Sequence, residues 1–178
     1  PNACLDDNSC IAVLEGCTNP EAENYNPDAN YDDGSCFFGT MEDSDGNIYE
    51  VVVIGDQTWM KENLKTTHYN NGDEIPNITN NSSWLNIFTG AYGDYDNNPA
   101  NSETYGRLYN WYTVDDDRGV CPDGWHVPSD EAYTILIDYL GGTSVAGGKM
   151  KETGLEHWHS PNTGATNESG FTGLPSGF

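Results

Sequence analysis

Side-chain oxygens recur at every second position along Asn24, Asn26, Asp28, Asn30 and Asp32, and Asp33-Gly34-Ser35 follows. Hard oxygen donors at that spacing suit calcium, and Asn26, Asp28, Asn30 and Asp32 are the candidate ligands of a calcium loop. The run is not an EF-hand. That loop needs glycine at its sixth position and a bidentate glutamate at its twelfth, whereas here Asp33 holds the former and Phe38-Gly39 surrounds the latter. The competing reading is a solvated turn in which Asx side chains bond neighbouring backbone, pinned by a disulfide. Asp43, Asp45 and Asn47 also alternate, but an Asp-Gly-Asn hairpin turn accounts for them without metal. Asp94, Asp96 and Asn97, and the run Asp115-Asp116-Asp117, read as solvated loops. His157 and His159 flank Trp158 and would share a face if extended, as a transition-metal pair requires. No third ligand stands near them, so they read as surface-loop histidines. His126 reads as structural beside a buried Trp125, and His68 carries no signal. No GxSxG elbow, glycine-rich phosphate cradle or distinct carboxylate pair emerges among the 29 acidic residues, so the chain reads as a binder and not an enzyme.

The elements that must position the acidic loop are short and stapled. Cysteines stand at 4, 10, 17, 36 and 121, and the first four lie where apolar material is too sparse for a core. PNACLDDNSC at 1–10 aligns with PDANYDDGSC at 27–36, so a complete repeat runs from Gly16 to Cys36 and residues 1–10 are expected to be the tail of an earlier copy, cut from a longer array. Cys17 and Cys36 bracket the complete unit and can pair. Closing that loop contributes roughly 3 kcal/mol in the chain-entropy model. Cys4 and Cys10 either pair locally or have partners upstream. A zinc knuckle needs closer cysteine or histidine pairs than these. Dense cysteine in a hydrophilic segment points to an oxidising, extracellular compartment.

From about residue 39 the character changes. Asp43-Ser44-Asp45-Gly46-Asn47 is a turn feeding the β-branched run Ile48–Ile54, ended by Gly55-Asp56, after which Gln57-Thr58-Trp59 can return as a second strand. Residues 69–102 show neither period and read as a long loop region. Residues 105–114 are aromatic and read as a buried strand or short helix. The clearest helix has Ser129 as N-cap, Asp130 and Glu131 in its first turn, Ala132, Ile135, Leu136 and Tyr139 on its apolar face, and Gly141-Gly142 as its stop. A shorter helix is expected within 144–152, then turns to the end. Acidic residues outnumber basic ones 29 to 6, for a net charge of -23, which repels a phosphate backbone and excludes nucleic acid as a partner. Five Trp and eleven Tyr set the chain apart from disordered acidic tails. No apolar run reaches the length of a transmembrane segment.

Four stretches in order, DSDGNIYEVVVIGDQTWMKENL (43–64), YGRLYNWYTV (105–114), GVCPDGWHVPSDEAYTILIDYLGG (119–142) and TNESGFTGLPSGF (166–178), resemble the Fibrobacter succinogenes major paralogous domain of bacterial surface and secreted proteins. The resemblance implies an α+β domain similar in fold to C-type lectins and to the formylglycine-generating enzyme superfamily, with long loops. It also implies a continuation past the Leu-Pro-Ser-Gly motif to a late cysteine, which leaves Cys121 as a lone thiol here. The calcium and sugar motifs of C-type lectins are absent, as are paired redox cysteines, so no site carries over. The front repeat resembles acidic cysteine repeats of large extracellular proteins of Bacteroidetes, often exported by the type IX route.

The sequence thus predicts an α+β chain of three parts: a partial repeat at 1–10, a calcium-binding spacer at 11–38 stapled by Cys17 and Cys36, and a lectin-like domain at 39–178. The expected role is adhesion to an extracellular protein or carbohydrate as part of a larger surface assembly. The alternatives are a structural block of a surface layer or fibre and, last, an enzyme.

Overall fold

The structure, a computed structural model, describes residues 13–20, 22–33 and 36–175. The partial repeat at 1–10, with the pairing of Cys4 and Cys10, lies outside the described residues. The chain divides into two compact units, Pro1–Gly39 and Thr40–Phe178.

In the first unit, strand β1 (Glu15–Gly16) pairs in parallel with β2 (Tyr31–Asp32). Cys17 and Cys36 are joined by a disulfide with their Cα atoms 4.7 Å apart, and Cys17 and Ala22 are both buried. Among the described residues of this unit buried apolar groups are few, and side-chain amides take over part of the ordering. Asn24 Oδ1 accepts the N–H of Phe37 at 2.8 Å, Asn26 Oδ1 that of Asp28 at 3.1 Å, and Asn30 Oδ1 that of Leu14 at 3.0 Å.

The second unit opens with an antiparallel meander, β3 (Thr40–Glu42), β4 (Ile48–Ile54) and β5 (Gln57–Met60), ordered β3-β4-β5. The β3–β4 turn is built by Asp43. One carboxylate oxygen accepts the N–H groups of Asp45 and Asn47, and the other accepts the phenol of buried Tyr49 at 2.5 Å. The β4–β5 turn is two residues long, with Gly55 at φ 63°, where a II′ hairpin demands glycine.

Residues 69–102 are more structured than their composition suggests. Helix α1 (Asn81–Asn86) is capped by the Asn80 side chain on the N–H of Ser83, and β6 (Tyr92–Gly93) precedes two 3₁₀ turns and helix α2 (Ser102–Tyr105). The aromatic stretch at 105–114 is not one buried element. It splits into β7 (Leu108–Tyr109), antiparallel to β6, and helix α3 (Trp111–Val114), and Trp111 is 67% exposed. Tyr69, Ile75, Tyr92 and Val120 form a core cluster there, with Leu64, Tyr109 and Cys121 against it.

Helix α4 (Asp130–Tyr139) is capped by Ser129, whose Oγ accepts the N–H of Ala132. Its buried face differs from the expected one: Leu136 and Leu140 are buried and Ala132 half-buried, while Ile135 and Tyr139 are 50% and 65% exposed. Residues four apart, not the whole apolar set, form the packed ridge. Helix α5 (Ala146–Met150) follows, and the chain then runs through turns. The architecture is mixed α+β with short elements. Among the described residues no helix is long and apolar enough to cross a membrane.

Candidate functional site

β5 and α4 together create a cleft in the second unit, a cavity of about 470 Å³. Its walls come from β5, the 62–64 segment, the 124–128 loop, the first turns of α4 and Phe171. Register puts Trp59 opposite Val52 of β4, which fixes its backbone. Its ring centroid lies 5.4 Å from that of Tyr133 and 5.9 Å from that of Phe171. Trp125 and His126 line the other side, Trp125 half-buried and His126 exposed, so the 124–128 loop serves the cleft and not the interior.

Two polar atoms in this wall are buried without a hydrogen-bond partner, Trp59 Nε1 and Gln57 Oε1. Gln57 Nε2 meanwhile donates to the carbonyl of Ala132 at 3.2 Å, tying strand to helix. Each unmet buried group costs about 1–3 kcal/mol, so this donor and acceptor are a local cost borne in the wall of the cleft. A smaller cavity of about 180 Å³ shares Met60, Glu62, Asn63 and Phe171 with the first and extends it. Several of its charged groups are held in pairs: Lys65 with Glu103 at 3.1 Å, His157 Nδ1 with Glu152 at 3.0 Å, and Lys61 with Glu50 at 2.6 Å. His157 is therefore not a free surface-loop histidine but is held, three-quarters buried, by a carboxylate. His159 is exposed.

Several charges elsewhere serve the fold. Asp45 accepts the Thr67 N–H at 2.5 Å, the Thr67 hydroxyl at 2.7 Å and faces His68 Nδ1 at 2.5 Å. Burial works to raise its pKa, but these hydrogen bonds outweigh it and hold the carboxyl below the usual aspartate value. Arg118 grips Asp116 and Asp73 through hydrogen bonds; it holds the Asp116 carboxyl at about 2, while the Asn71 amide and then Arg118 keep that of Asp73 low. Burial of Tyr49, reinforced by its bond to Asp43, raises the phenol. Cys121 is a free thiol raised by burial.

Of the proposed calcium ligands, the structure places Asn26, Asp28, Asn30 and Asp32 around the disulfide-closed loop, with the Asn26 and Asn30 amide oxygens also building its turns. Among the described residues no group of three or more His, Cys, Asp or Glu side chains gathers where it could hold a metal ion. The aromatic cleft was not visible in the sequence as a site. Its members come from a strand, two loops and a helix, and the spacing signal that could join Trp59 to Tyr133 and Phe171 is three-dimensional.

These features describe a small α+β domain with an aromatic cleft, preceded by a disulfide-closed unit. The Fibrobacter succinogenes major domain matches over residues 52–178, and the chain belongs to that family. No curated protein and no solved structure matches it.

Proposed function

We propose that this chain is a non-catalytic binding module of a large extracellular bacterial surface protein, and that the unit from Thr40 onward takes a carbohydrate in its aromatic cleft. The cleft carries this reading: Trp59, Trp125, Tyr133 and Phe171 offer ring faces to the C–H faces of a sugar. The unmet N–H of Trp59 and unmet oxygen of Gln57 are the complementary pair that a hydroxyl satisfies, once the side chains covering them give way. The α+β layout with long irregular connections is compatible with a C-type-lectin-like domain.

The front unit serves as a spacer stiffened by calcium, with carboxylates from Asp28 and Asp32 and amide oxygens from Asn26 and Asn30. An amide oxygen has two lone pairs, so one N–H bond does not bar it from a cation. The disulfide between Cys17 and Cys36 fits a protein that works outside the cell.

A glycan array followed by calorimetry tests the ligand. Trp125→Ala and Tyr133→Ala should each weaken the best glycan at least tenfold, in line with about 1.4 kcal/mol or more per ring. Unchanged affinity in both variants would move the ligand away from the cleft, and failure of all glycans would leave a protein ligand. Calcium titration of the chelated, oxidised chain tests the spacer. Binding and a raised Tm, both lost in Asp28→Ala/Asp32→Ala, are expected; no heat and no shift would leave a disulfide-only unit.

A further inference from the structure

Far from economical burial, three aromatic rings stand in solvent on adjoining segments: Phe88 is 74% exposed, Trp111 67% and Tyr112 41%. The Phe88 and Tyr112 rings meet edge to face at 6.2 Å. Their exposure is not that of a loose loop. Asn110 Nδ2 donates to the carbonyl of Thr89 at 2.8 Å, and its Oδ1 accepts the N–H of Ala91 at 3.1 Å. Thr113, fully buried, accepts that same N–H at 2.7 Å and donates its hydroxyl to the Ala91 carbonyl at 3.0 Å. Helix α3 is thereby fastened to the 89–91 segment, and the rings project from a fixed base. A soluble chain rarely holds such rings outward on a rigid support unless something covers them.

What covers them is indicated by the charges alongside. A cavity of about 370 Å³ lies between Phe88 and Tyr112 on one side and Asp115, Asp116 and Asp117 on the other. Arg118, the cation in that wall, is engaged with Asp116 at 2.8 Å and Asp73 at 3.1 Å, and its guanidinium covers Tyr69 at 3.9 Å. Asp115 and Asp117 are exposed, and among the described residues no hydrogen bond or ion pair engages their carboxylates. We propose that the face formed by Phe88 and Tyr112, flanked by Asp115 and Asp117, docks a basic segment of a partner protein that presents arginine or lysine.

A guanidinium stacks on aromatic faces while its edge donates to carboxylates, which is the pairing this surface offers. The net charge of -23 draws a basic partner toward the molecule and turns polyanions away. This surface is separate from the cleft above, and the inference does not depend on what the cleft holds.

Fluorescence anisotropy with labelled nine-residue peptides tests it, one bearing four arginines in a glycine-serine background, one four lysines and one four glutamates, at 150 mM salt. The arginine peptide should bind best, the lysine peptide less well and the glutamate peptide not at all. Phe88→Ala/Tyr112→Ala and Asp115→Asn/Asp117→Asn should each weaken the arginine peptide at least tenfold. Asp138→Asn/Glu156→Gln, which removes the same charge elsewhere, should change it less than twofold. Circular dichroism and Tm establish that the variants fold, as surface substitutions on a buried scaffold should. Equal weakening by the control pair, or no effect of the aromatic pair, would mean diffuse attraction to an acidic protein and overturn the proposal, as would absence of arginine-peptide binding.

Discussion

Asp45 shows how one carboxylate joins two segments that sequence places far apart. Its partners Thr67 and His68 come from beyond β5, and their hydrogen bonds fasten the β3–β4 turn to the 66–68 segment. Because the folded-state pKa is depressed, the stabilisation is fully present above the ordinary aspartate value of about 4 and is lost as pH falls below it toward the folded value. Asp45→Asn is therefore expected to lower stability at neutral pH by about 1 kcal/mol and to flatten the acid limb of the stability curve. Urea unfolding from about pH 2 to pH 7 measures both, and an unchanged acid limb would remove Asp45 from the account. Cys121 gives a second check at this scale. Burial raises its thiol, so little thiolate exists at neutral pH. Its reaction with a disulfide reagent at about pH 7.5 should be more than tenfold slower than that of free cysteine, and urea should restore the normal rate.

Elements legible in the sequence are those whose signals are local. The β4–β5 hairpin follows from a β-branched run halted by Gly55-Asp56, and α4 from the Ser129 cap, its acidic first turn and Gly141-Gly142. α1 escaped notice because Asn80 caps it within an asparagine-rich stretch, where the same residue type equally signals a turn. The buried face of α4 differs from the one its periodicity predicts because Ile135 and Tyr139 are apolar but lie outside the packed Ala132–Leu136–Leu140 ridge, a choice made by neighbouring elements. For the same reason the cleft stayed hidden, although Trp59 and Tyr133 each lie in motifs that the sequence reading singled out. Tyr139, though largely exposed, rests its ring where a Cβ on Gly55 would approach Cδ2 to 2.9 Å, so hairpin and helix interlock at that glycine. Gly55→Ala should accordingly cost about 2 kcal/mol, from left-handed strain plus the clash. Tyr139→Ala should relieve only the clash. A double-mutant cycle in urea separates the two, and additive losses would show that the ring contact does not restrict position 55.

At the scale of the molecule, two compact units rest on different physics. Around the described residues of the first unit, buried apolar side chains are few, and the link between Cys17 and Cys36 contributes roughly 3 kcal/mol by restricting the unfolded chain. The second unit has its own apolar core, built on Tyr49, Val51, Val52 and Trp59 and on the Tyr69 cluster, and Cys121 remains a free thiol beside it. Reduction should therefore act on one unit and spare the other. Calorimetry of the oxidised chain in calcium is expected to show two transitions, the front one collapsing with reductant or in Cys17→Ser/Cys36→Ser and weakening with chelator, while the transition of residues 40–178 keeps its midpoint. If one transition appeared and moved as a whole on reduction, the units would be thermodynamically coupled, and the stapled segment would be an integral part of the larger domain instead of a spacer in front of it.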